Sequence, residues 1–147
     1  MQQFVRWKWK LYINMLSWSE QYATGVALVD AQHQMLIRQI NDLERMLLNP
    51  PLVKEDCDNL LRFLAGYLET HFRFEEECMQ RHRCPAHQQN KQAHAEFLAI
   101  CMQFQELYQE AGPEAELLKH FQMDAANWIS DHILTLDLRL RGCVARQ

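Results

Sequence analysis

Apolar residues recur along this chain at steps of three and four, the period of a helix with one buried face, in four successive stretches. In the first, Leu36, Ile37, Ile40, Leu43 and Leu47 keep the step, and His33 extends the same stripe. The second stripe is Leu60, Leu64, Tyr67, Leu68, His71, Glu75, Cys78 and Met79, so a histidine and a glutamate stand where aliphatic residues are expected. The third is Asn90, His94, Phe97, Cys101, Phe104 and Tyr108, and the fourth is Leu118, Phe121, Ala125, Trp128, His132 and Leu136. Prolines mark the joints at Asn49-Pro50-Pro51, Cys84-Pro85 and Gly112-Pro113, because proline lacks an amide donor and disfavours helix in the residue before it. The pattern predicts helices over roughly 30–48, 54–83, 87–111 and 114–140. There is no sustained period-two alternation and no Asn-Gly or Asp-Gly hairpin turn. Short joints between long helices make neighbours antiparallel, so the expected fold is all-α, an up-down-up-down four-helix bundle. The expected organisation is an N-terminal arm over 1–17, the bundle over 18–140, and a tail or the start of a linker to another module over 141–147.

Each predicted helix therefore carries a histidine on its inward stripe: His33, His71, His94 and His132. A single histidine on an apolar face is more often a hydrogen-bonded core residue than a ligand. Four of them, one per helix, with Glu75 and Asp137 in the same core, point instead to a shared centre. His71 and Glu75 are one helical turn apart and can reach one metal cluster from a single helix. Burying carboxylates without a cation is costly, and a pair of metal ions removes that cost. Imidazole with carboxylate suits iron, zinc or manganese, whereas a soft metal would recruit cysteines. A rival set, Cys78, His82, Cys84 and His87, lies within ten residues but has no zinc-finger or zinc-ribbon spacing. A ferritin-like di-iron bundle requires Glu-x-x-His pairs, and the chain has none.

Composition adds bounds. At 147 residues the chain can bury one substantial core but hardly two. A formal charge of −4 carries no electrostatic footprint for nucleic acid, and no nucleic-acid role is expected. Five cysteines without framework spacing fit a reducing compartment better than a stapled, secreted protein, which makes cytoplasm the expectation. No apolar run is long enough for a transmembrane helix, and Lys8 and Lys10 interrupt the N-terminal apolar stretch as no signal peptide would allow. Trp7, Trp9 and Trp18 with Arg6, Lys8 and Lys10 could lie on a membrane surface or a partner, but an arm packed on its own bundle is the simpler expectation.

The segments Trp18-x11-Asp30-x2-His33, His71-Phe72-x2-Glu75-Glu76-x2-Met79, Pro85-x8-His94-x2-Phe97 and Trp128-x3-His132-Ile133-x3-Asp137 resemble the hemerythrin family, especially its bacterial members. The resemblance spans roughly residues 18–140. It implies two iron ions, oxo- or hydroxo-bridged, that bind O2 reversibly within an up-and-down bundle. Carried over position by position, it puts His33 and His71 on one iron, His94 and His132 on the other, and Glu75 and Asp137 between them. The five-residue step from His132 to Asp137 is not a same-face helical spacing, and the resemblance accounts for it by setting the bridging carboxylate to one side of the terminal imidazole.

The chain departs from that family at one ligand. The third helix of the family normally offers His-x3-His, but Asn90 stands where the first histidine should be. An amide is a far poorer iron ligand than imidazole, so an open, water-filled position is expected there. His87 is a possible substitute, three residues and about 4.5 Å of rise away along the helix. The functional expectation is a non-enzymatic domain binding O2 or a small anion, acting as the oxygen or redox input of a signalling protein. By family resemblance the partner could be a fused effector such as a diguanylate cyclase. Two alternatives stand beside it: an O2 storage or delivery protein, and, from another class, a di-iron enzyme that reduces peroxide, NO or O2.

Overall fold

The computed structural model describes residues 15–145. A 3-10 turn, Glu20–Tyr22, leads into α1 (Ala27–Leu48), α2 (Lys54–Arg81), α3 (His87–Ala111) and α4 (Ala115–Thr135). A second 3-10 turn, Asp137–Arg139, and a short helix α5 (Leu140–Val144) complete the described chain. Helix α1 packs chiefly on α2 and α4, and α3 closes the ring between those two, giving the expected up-down-up-down bundle. No strand occurs among the described residues.

Local chemistry sets the helix ends. Asp30 accepts hydrogen bonds from the Thr24 amide at 2.7 Å and its hydroxyl at 2.8 Å, tying the incoming chain to the first turn of α1. Asn49 donates back to the Arg45 carbonyl before the two prolines stop that helix. Helix α2 ends at Arg81, Arg83 takes φ 53°, and Cys84-Pro85 redirects the chain. Gly112, at φ 72°, closes α3 through its amide to the Tyr108 carbonyl at 2.8 Å. The left-handed conformation there is one that residues with a Cβ resist.

The predicted helix boundaries hold to within a few residues except at the end. Periodicity carries the fourth helix to 140, but the helix stops at Thr135, where Leu136 sits at φ −109° and starts a tighter turn. The cysteine pattern predicts no staple, yet Cys84 and Cys143 form a disulfide with Cα atoms 5.5 Å apart. Its partners are 59 residues apart, one in a helix joint and one beyond the last bundle helix, so no local spacing announces it. A cross-link closing so long a loop typically stabilises by about 2–4 kcal/mol. It also removes Cys84 from the rival Cys78–His82–Cys84–His87 metal set, which the structure does not assemble. Of the N-terminal segment, Arg6, Trp7, Lys8, Trp9 and Lys10 lie outside the described residues, whereas Leu16 at the end of the expected arm and Trp18 at the start of the expected bundle are half-buried against the core. The Leu16 amide and carbonyl pair with the side chain of Asn41 at 2.9 and 2.8 Å, which lays this segment along α1.

The core runs from a polar cluster at one end of the bundle to an apolar half around Leu43, Leu64, Leu118 and Phe121. Glu44, fully buried, is neutralised by Lys119 at 2.6 and 2.7 Å, joining α1 to α4. Two glycines give predictions of opposite sign. Gly66 is an exposed residue within α2, and a methyl group added at its Cα would meet only open space, so Gly66→Ala should stabilise by about 0.5–1 kcal/mol through helix propensity. Gly112→Ala meets no steric neighbour but must hold positive φ, and should destabilise by about 1 kcal/mol. Urea midpoints of the two variants check both signs. Burial raises the Cys101 thiol to about 11. Its proton is then kept in the folded chain and lost first from the unfolded one, so stability should fall as pH rises from about 9 through 11, and Cys101→Ala should flatten that slope.

Candidate metal centre

The four histidines reach one place because each sits on the inward face of its helix at a similar height. His33 is 1% exposed, His71 2%, His94 1% and His132 6%, while Glu75 and Asp137 are 0% and 1%. So nothing larger than a small molecule can approach all six without the helices moving apart. Glu75 lies between two histidine pairs: Oε2 is 3.3 Å from His33 Nε2 and 3.4 Å from His71 Nε2, and Oε1 is 3.3 Å from His94 Nε2. Asp137 does the same from the opposite wall, with Oδ2 3.0 Å from His33 Nε2 and Oδ1 3.0 Å from His132 Nε2. The break after Thr135 makes this possible, since a continuous helix would turn Asp137 away from His132. Each carboxylate therefore offers one oxygen to each histidine pair.

Two overlapping donor groups result, His33–His71–Glu75–Asp137 and Glu75–His94–His132–Asp137, with the donor atoms of each group within 4.8 Å of one another. The rings are held from behind. His71 Nδ1 is 2.7 Å from Gln32 Oε1, and His94 Nδ1 is 2.9 Å from Glu76 Oε1, so in both cases Nε2 faces the cluster. Such partners fix ring orientation and raise ligand basicity. Phe72 stacks on His94 with centroids 3.9 Å apart, and Trp128 stacks on His132 at 4.3 Å. Sequence reasoning alone does not single out Gln32 or Glu76 as functional. Glu76 carries one usable signal, since it follows Glu75 directly, but Gln32 has no signature beyond its adjacency to His33.

Protein groups alone satisfy this cluster poorly. His33 Nε2, Glu75 Oε2 and Asp137 Oδ1 are buried without a hydrogen-bond partner although facing groups are close, and the His94 and His132 Nε2 atoms stand 3.0 Å apart. Donor atoms aimed at a common point rather than at one another are what a cation requires, and the mixed imidazole–carboxylate set suits iron. The electrostatics agree. Burial disfavours a charged imidazole, but Asp137 and Glu75 outweigh it and lift His33 to about 9. His71, buried with only Glu75 to offset the cost and other histidines nearby, is pushed down to about 3. For Asp137 burial acts upward, yet the imidazoles of His132 and His33, each 3.0 Å away, hold it well below the usual carboxylate range.

Asn90 is fully buried in the same place. Its Nδ2 donates to Glu75 Oε1 at 2.6 Å and lies 3.3 Å from Met79 Sδ, while its Oδ1 has no partner. The amide thus grips the carboxylate oxygen on the His94 side. His87 begins α3, half-buried, and belongs to neither donor group. A groove of about 710 Å³ between α2 and α3, lined by Leu64, Leu68, Cys101, Phe104 and Tyr108, contains none of the site residues. No described helix is long and apolar enough to cross a membrane.

Comparison with known proteins agrees with this architecture. The profile of the hemerythrin HHE cation-binding domain matches residues 24–140. A bacteriohemerythrin of Stenotrophomonas maltophilia (strain R551-3) is 22% identical over 119 residues, covering 81% of this chain and 74% of that protein. Domains of this kind hold a di-iron centre, and the two donor groups suit one. With the profile spanning all four bundle helices, the chain belongs to the hemerythrin family.

Proposed function

We propose that this domain binds O2 or a related small ligand at a di-iron centre held by His33, His71, Glu75, His94, His132 and Asp137, and serves as the oxygen or redox input of a signalling protein. The observation that carries the reading is the sharing of both buried carboxylates between two histidine pairs, with an amide, Asn90, where a further imidazole would complete the second pair. Iron bound there would supply reversible, redox-active binding of a small ligand. The chain's own residues divide the remaining work. Gln32 and Glu76 orient two of the imidazoles, Phe72 and Trp128 exclude water from one flank, and Glu75 and Asp137 set the spacing of the two positions. Asn90 donates to Glu75 and so weakens its negative charge toward the His94–His132 side. That position then has two imidazoles, as the His33–His71 position does, and both should exchange ligands readily. Ready exchange and ready oxidation suit a switch better than a store.

Three outcomes test the reading. The purified protein should hold two irons per chain, and His71→Ala or His132→Ala should lose at least one. One zinc and no iron, in protein made with ample iron, would sink it. Glu75→Gln and Asp137→Asn should each weaken retention of the pair, since a neutral amide bridges two cations poorly. Full iron in both variants would remove the bridging assignment. Asn90→His should lower azide affinity and slow air oxidation of the reduced protein, with helix content unchanged. Equal values in the two proteins would show that Asn90 does not leave a position open and would withdraw the basis for sensing.

A further inference from the structure

We propose that the Cys84–Cys143 disulfide is a reversible thiol–disulfide site, open to dithiol reductants, whose state sets how firmly the Asp137 segment closes over the metal positions. The coupling rests on the reading of Asp137 as a ligand; the thiol chemistry does not. Asp137 lies in the break between α4 and α5, so its position depends on what anchors the chain on both sides. Upstream it is continuous with His132. Downstream, Leu140 is fully buried with Val29, Cys78, Met79 and Cys84, Arg139 reaches Gln89 at 3.1 Å, and Arg141 donates to the carbonyls of Ala23 and Glu20. Among the described residues the disulfide is the only covalent anchor of this segment. Its other end is placed as closely to the site. The Cys84 amide bonds the Met79 carbonyl at 2.9 Å, Met79 touches Asn90, and Asn90 lies six residues beyond Cys84. One bond therefore pins together the segments that carry Asp137, Glu75 and Asn90.

The two cysteine residues differ in exposure. Cys84 is 5% exposed, whereas Cys143 is half-buried near the chain end. An external dithiol attacks as thiolate at Cys143 Sγ; the S–S bond breaks and Cys84 leaves as thiolate. The second thiol of the reagent then closes on its own mixed disulfide and releases Cys143. Two electrons pass from the dithiol, which becomes a cyclic disulfide, and its two protons end on Cys84 and Cys143. The reverse exchange with a disulfide reagent reforms the bond.

The test compares oxidised protein, protein reduced with dithiothreitol and then freed of it, and the Cys143→Ser variant, with Cys101→Ser as a control outside the site. Alkylation after denaturation should count three thiols in the oxidised chain and five after reduction, matching the three free cysteines Cys57, Cys78 and Cys101. Five thiols in protein exposed to a disulfide oxidant would overturn the site. Loaded with iron and challenged with a chelator, the reduced protein and Cys143→Ser should release metal about tenfold faster than the oxidised protein and Cys101→Ser, the scale on which outer partners tune metal sites. Equal release would overturn the coupling. In metal-free protein, amides of 136–144 should exchange about tenfold faster once the bond is open, and unchanged exchange overturns the proposal on its own. Failure of all forms to bind iron would instead sink the di-iron reading and leave the exchange comparison to decide the staple.

Discussion

Two carboxylates buried at 0% and 1% exposure, each facing histidines from two directions, are the constraint around which this bundle is organised. Taking such groups out of water costs several kcal/mol per charge unless positive charge meets them in good geometry. The helices supply four imidazoles, of which the carboxylates push His33 up while burial pushes His71 down. A pair of cations meets the same demand without choosing among the rings. Helix register follows from this: the inward stripe of each helix is interrupted at the one height where the others are interrupted too, and apolar packing resumes on the far side around Leu43, Leu64 and Leu118.

The same constraint explains the irregular end of the fourth helix. His132 and Asp137 must both face inward, and a regular helix cannot present positions five apart on one face. The chain gives up helical continuity at Leu136 to bring the carboxylate round, and the freed segment then needs anchors of its own. Leu140, Arg141 and the disulfide at Cys143 supply them. Packing at this end of the described chain thus holds the turn that places Asp137 beside His33 and His132.

Much of this is legible in the residues because helical periodicity is a strong signal. Interrupting an apolar stripe with His71 and Glu75 in mid-helix leaves few bland explanations, and His33, His94 and His132 repeat the interruption once per helix. What cannot be read depends on distance in space rather than spacing in sequence. The end of α4 at Thr135 is invisible to periodicity, since Leu136 and Leu140 keep the apolar step through the break. The bond from Cys84 to Cys143 joins a loop to a terminal turn across 59 residues, and Gln32 looks like any surface polar residue until His71 is seen against it. Asn90 stands out in the sequence only as a departure from the family's His-x3-His pattern, and its hydrogen bond to Glu75 emerges only from the folded arrangement.

That hydrogen bond changes what the departure means. An asparagine that only vacated a ligand position would leave a hole, yet Asn90 is fully buried and spends one amide proton on the carboxylate shared by both histidine pairs. Its carbonyl oxygen remains without a partner, an arrangement that costs about 1–3 kcal/mol when nothing completes it. The residue therefore touches, in Glu75, the carboxylate that faces both histidine pairs. A histidine there could supply a stronger metal donor but not this amide hydrogen bond. Asn90 thus distinguishes the two sides of Glu75 by a hydrogen bond donated to the oxygen on the His94 side.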